Sequence, residues 1–87
     1  MATASPSAPA MLVNLVRLIA QALVDHPDQV KVREVPGDRF PRIELAVARD
    51  DIGKVIGKDG RTAQSIRALV NAAAHKAGTR AYLDILD

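Results

Sequence analysis

The chain has no cysteine and no tryptophan, and only one tyrosine and one phenylalanine in 87 residues. Without cysteine there can be no disulfide, no thiolate nucleophile and no cysteine-held zinc, which fits a cytoplasmic setting. With only Phe40 and Tyr82, the stacking platforms of RRM or OB type are not expected. No apolar run reaches the length needed to cross a bilayer, so no membrane association is expected. The opening "MATASPSAPA" has neither a basic start nor an apolar centre and reads as a disordered tail over residues 1–10, not as a targeting segment.

What is present suits one small domain over residues 11–87. A hydrophobic fraction of 48% supplies a core, and a charged fraction of 25% is ordinary for a soluble chain. A domain of this size buries only about 60% of its unfolded surface, so a partner would add to its stability. The net charge is only +2, so any affinity for anions depends on where the charges sit. Residues 50–80 hold six basic side chains, Lys54, Lys58, Arg61, Arg67, Lys76 and Arg80, against Asp50, Asp51 and Asp59.

From Met11 to Val24, Leu12, Leu15, Val16, Ile19 and Leu23 recur at helical spacing and predict a first helix, ended by Pro27. Met11, Leu18 and Ala22 widen its apolar arc. They either contact a second subunit or partner, or belong to a deeply seated helix. Val30, Val32 and Val35 predict a strand, "PGDRFP" a loop, and the alternation in "RIELAVA" a half-buried second strand. Asp50 and Asp51 suit the start of a short helix that runs to about Ile56, where carboxylates accept free backbone N–H groups. A longer helix is expected from Arg61 to Ala77, closed by Gly78, and "RAYLDIL" reads as a last strand. The order is α-β-β-α-α-β, an α+β fold with a three-stranded sheet covered by helices on one face.

Gly53, Gly57 and Gly60 crowd into "DIGKVIGKDGRTAQSI". A reversal between two helices over Gly57–Gly60 needs glycine for its backbone angles alone. The same bare backbone, followed by a helix N-terminus and flanked by Lys54, Lys58 and Arg61, also suits the approach of a sugar-phosphate chain. Other phosphate loops fit less well. A Walker loop needs four residues before its Gly-Lys pair and then Ser or Thr, whereas "GKVIGKD" has three and then Asp59. A dinucleotide fingerprint needs Gly-x-Gly, which is absent. His26 and His75 flank the segment without converging on it, and the adjacent Asp50 and Asp51 diverge. Neither catalysis, nor a metal, nor a cofactor is therefore expected.

"VIGKDGRTAQSI" resembles the signature of the KH domain, with Val55-Ile56-Gly57-x-x-Gly60 and the aliphatic Ile66 beyond. The element order resembles the type II KH arrangement. "ALVDHP", "VREV" and "DIGKVIGKDGRTAQSIR" in so short a chain are similar to the bacterial single-KH family KhpA. The resemblance spans residues 11–87. It implies a single-stranded RNA-binding protein whose GxxG turn clamps about four nucleotides, acting as an RNA chaperone linked to cell-wall growth and cell length. It also implies a larger KH-containing partner of the KhpB type; a homodimer is a further expectation. Carried over, Gly57, Lys58, Asp59 and Gly60 form the clamp, with Lys54 and Arg61 beside it. Ile52, Val55 and Ile56 divide between groove and core. Asp59 leaves Lys58 as the only cation in the turn and implies weak binding. The alternative is an interaction or dimerisation module with only weak RNA contact.

Overall fold

A computed structural model describes residues 7–36 and 39–87, so Gly37 and Asp38 of the "PGDRFP" loop, and residues 1–6 of the expected tail, lie outside the described residues. The elements are α1 (Ala8–Leu23), β1 (Lys31–Val35), β2 (Arg42–Ala46), α2 (Ile52–Ile56), α3 (Arg61–Lys76) and β3 (Tyr82–Ile85). Their order is the one expected. Among the described residues no helix is long and apolar enough to cross a membrane.

The first helix starts earlier than Met11 and takes its first turn from the stretch read as tail. The Ser7 hydroxyl accepts the Ala10 N–H at 3.2 Å, and Pro9 sits in the first turn, where its missing N–H costs nothing. At the far end, Val24 adopts an extended backbone three residues before Pro27.

The strands lie in the order β1-β2-β3, with β1 and β2 antiparallel and β2 and β3 parallel. A parallel pair needs a crossover, and α2 and α3 supply it. The register sorts the side chains by face. Val32, Leu45 and Ile85 line up on one face, as do Glu34, Ile43 and Leu83. α1 and α3 cover this face with Leu12, Val16, Ala20, Ile66, Val70 and Ala74. Ile43, Leu45, Leu12 and Val16 are fully buried, and each contributes about 1.5–3 kcal/mol relative to exposure. The opposite face is free of helices and carries the rows Arg33–Glu44–Asp84 and Val35–Arg42–Tyr82. On it, Arg33 Nε donates to Glu44 Oε1 at 2.8 Å.

α3 closes as expected. Gly78, at φ 78°, donates to the His75 carbonyl at 3.0 Å, and Thr79 donates to the Ala74 carbonyl at 2.9 Å.

The aspartates before α2 behave differently from expectation. Neither caps the helix. Asp50 is exposed, whereas Asp51 is 1% exposed and reaches across to the segment leaving α1. Its Oδ1 accepts the Asp25 N–H at 3.1 Å and its Oδ2 the His26 N–H at 3.0 Å. The bend before Pro27 leaves those two donors without helical partners, and one carboxylate satisfies both. Burial pushes the Asp51 carboxyl up, but the two N–H bonds, together with His26 and Lys54, outweigh it and hold the carboxyl below its ordinary value. The folded state therefore keeps Asp51 ionised at a pH where the unfolded chain already takes up a proton. Its contribution to stability is complete above the ordinary carboxylate range and is lost as the pH falls through the lowered folded value. Asp51→Asn, which turns an amide donor toward a backbone donor, should lower the melting temperature by several degrees at neutral pH. It should also flatten the acid limb of the stability profile measured by thermal circular dichroism. An unchanged melt would remove this tether from the structure.

Candidate nucleic-acid interface

The turn after α2 reverses the chain in four residues. Gly57 (φ 77°, ψ 173°) ends α2 by donating to the Gly53 carbonyl at 2.9 Å. Lys58–Gly60 form one 3₁₀ turn, with the Gly60 N–H on the Gly57 carbonyl at 3.2 Å. Asp59 (φ 56°, ψ 26°) and Gly60 (φ 73°, ψ 11°) both take left-handed conformations. Asp59 is the sole non-glycine residue at positive φ among the described residues, and aspartate tolerates that region better than most side chains.

The two glycines of the turn do different work. A Cβ on Gly57 would collide with the Thr62 side chain and lie 2.8 Å from the Thr62 backbone nitrogen. Gly57 thus lets the start of α3 fold back against the end of α2. A Cβ on Gly60 would meet nothing within 4 Å, so this stretch of main chain stands open to a ligand. No side chain caps α3, whose N-terminal positive end follows the turn. Lys58 and Asp59 are exposed and Gly57 and Gly60 half-buried, which places the turn at the surface.

The flanking residues separate into distinct surroundings. Arg61 and Lys58 are exposed and form no ion pair among the described residues. Lys54 is engaged: its ammonium lies 3.2 Å from Asp25 and 3.7 Å from Asp51. The Asp25 hydrogen bond and charge raise its pKa against the opposing effect of burial. Lys54 therefore clips α2 to the end of α1, and much of its charge is spent there. Ile52 and Ile56 are half-buried at the surface of α2, while Val55 is fully buried and offers nothing to a bound base. Sequence reasoning did not find the Asp51–Asp25–His26 tether beneath the site, because its partners lie 25 and 26 residues apart.

On α1, Met11 and Leu18 are 38% and 67% exposed and Ala22 is exposed as well, a stripe turned away from Leu12, Val16 and Ala20. His26 and His75 are exposed, and the described residues contain no group of His, Asp or Glu able to hold a metal.

Residues 13–85 match the family model described as KhpA/KhpB, KH domain. The chain is 56% identical over 74 residues to a protein named RNA-binding protein KhpA from Halalkalibacterium halodurans, an alignment that covers 85% of this chain and 97% of the relative. It is likewise 56% identical over 73 residues to the KhpA of Caldanaerobacter subterraneus, covering 84% and 97%. Among solved structures, the fold is similar to part of Aquifex aeolicus Era, with a TM-score of 0.66 at 22% identity. That match covers 98% of this chain and 32% of Era.

The split between the glycines is measurable. Gly57→Ala should cost about 3 kcal/mol or more in chemical denaturation, from strain plus the collision with Thr62. Gly60→Ala should cost about 1–2 kcal/mol, from backbone angle alone. Equal losses would contradict the packing of Gly57 on Thr62.

Proposed function

The chain belongs to the KhpA/KhpB KH-domain family, and on that premise we propose that it binds single-stranded RNA by clamping the sugar-phosphate backbone against the Gly57–Gly60 turn. The supporting observation is the open main chain at Gly60, where a Cβ would meet nothing within 4 Å. The KhpA relatives are named RNA-binding proteins, and the KH domain is an RNA-binding fold, not an enzymatic one. Lys58 and Arg61 supply attraction to phosphate, while Ile52 and Ile56 offer apolar surface to bases. Lys54 acts mainly as a support, and Val55 belongs to the core.

The role proposed is that of a cytoplasmic bacterial RNA chaperone, acting with a larger KH-containing partner of the KhpB type and linked to cell-wall growth and cell length. This follows from the family resemblance. A second reading, an interaction or dimerisation module, is favoured by the exposed stripe of Met11, Leu18 and Ala22. It is compatible with RNA binding, since pairing two weak clamps raises apparent affinity through effective concentration.

Affinity for single-stranded RNA should fall with salt at a log–log slope between about −2 and −3, as for about four phosphates. Lys58→Asp, at an exposed position, should fold normally and bind at least about tenfold more weakly. Wild-type affinity in that folded variant would exclude the turn as the clamp. Leu18→Glu should lower the mass seen in sedimentation, either of the protein alone or of its complex with the KhpB-type partner. If neither mass changes, the α1 stripe is not a contact surface.

A further inference from the structure

The chain's two aromatic residues, Phe40 and Tyr82, line one cleft of about 570 Å³ together with Arg39, Arg42 and Arg80. The cleft is remote from the turn. β2 begins at it and runs toward α2, and the sixteen residues of α3, about 24 Å of helix, separate the turn from the loop carrying Arg80.

Strand register builds one wall. Val35, Arg42 and Tyr82 stand abreast on the helix-free face, where directly opposed side chains are about 5 Å apart. The loops at this end of the sheet add Arg39 and Phe40 from one side and Arg80 from the other. The Arg80 guanidinium lies 5.9 Å from the centroid of the Phe40 ring, a cation–π contact that joins the two loops. Tyr82 is 57% exposed. Among the described residues no carboxylate lines the cleft, and none of its three arginines forms an ion pair. Among the strand residues of this face, the acids Asp84 and Glu44 stand one row along, and Glu44 is held by Arg33.

Three guanidinium groups gathered with no counter-charge among the described residues form a site for an anion, and their planar forks match phosphate. An exposed aromatic ring beside them matches a base. An acidic peptide would engage the arginines but leave the Tyr82 ring without a role. We propose that this cleft is a second contact for single-stranded RNA, with Tyr82 stacking on a base while Arg39, Arg42 and Arg80 hold the adjoining phosphates. This rests on the reading that the chain binds RNA, and it extends the bound strand beyond the turn. A smaller trough of about 130 Å³, lined by Arg67, Asn71 and Tyr82, shares Tyr82 with the cleft.

The chain holds one tyrosine and no tryptophan, so tyrosine fluorescence reports on the cleft in the unmodified protein. RNA of about twelve nucleotides should quench it saturably, while RNA of about four nucleotides binds at the turn without quenching. Tyr82→Leu and the pair Arg42→Ala with Arg80→Ala should each weaken the longer RNA about tenfold and leave the shorter unchanged. Tyr82→Phe should keep wild-type affinity. The proposal is overturned if the longer RNA binds without quenching, or if folded cleft variants bind it as tightly as wild type. In either case the clamp still stands wherever Lys58→Asp loses the short RNA. Quenching by a polyglutamate peptide but not by RNA assigns the cleft to a protein partner and also overturns it. If RNA of neither length binds, this proposal and the reading beneath it fall together.

Discussion

A chain that reverses between two helices in four residues has few conformations open to it, and here three of the four sit at positive φ. That constraint governs the rest of the molecule. Gly57 must lack a side chain because Thr62 occupies the space, and Gly60 leaves its outer side bare. Such strain persists only where the surroundings hold it. Val55 on one side of the turn, and Ala63 and Ile66 on the other, are buried, while Asp51 and Lys54 tie α2 to the end of α1. These polar contacts thus serve the turn indirectly: they fix the short helix that delivers it. With only five residues, α2 has little intrinsic stability of its own.

Much of this was legible in the chain because it is governed by local rules. The helical recurrence of Leu12, Leu15, Val16 and Ile19, the alternation through Ile43 and Leu45, and Gly78 after α3 each express a backbone period or a cap. The element order and fold class followed from them. Where reading failed, the cause was a distant partner or competing local signals. Asp51 has the position and chemistry of a helix cap, and only the folded structure brings it to the free N–H groups of Asp25 and His26. The same fold turns Lys54 from a free cation into a clip. Ser7 and Pro9 are good helix-start residues, but among small residues and prolines they read as tail. Ile52, Val55 and Ile56 are alike as letters; only α2's orientation puts Val55 inside. Phe40 and Tyr82, too sparse in sequence to suggest stacking, line one cleft, Tyr82 placed by strand register and Phe40 by the loop before β2.

The surfaces that result do not compete for space. The α1 stripe points away from the core, the turn projects between α2 and α3, and the arginine cleft lies at the other end of the sheet. In the proposed function, a protein of this size holds RNA with a clamp carrying only one cation and gains affinity from the proposed second contact or from a second subunit. Each of these depends on the same scaffold, an α1–α3 layer packed on one sheet face with the other face left open.

The most direct measurement is an NMR titration of the isotope-labelled protein with single-stranded RNA, followed at the backbone amides. Clamping predicts that the largest shift changes fall on the amides from Gly57 to Arg61, saturating together with binding. If RNA binds while those amides stay still, the strand lies elsewhere, and the turn is only the joint between two helices.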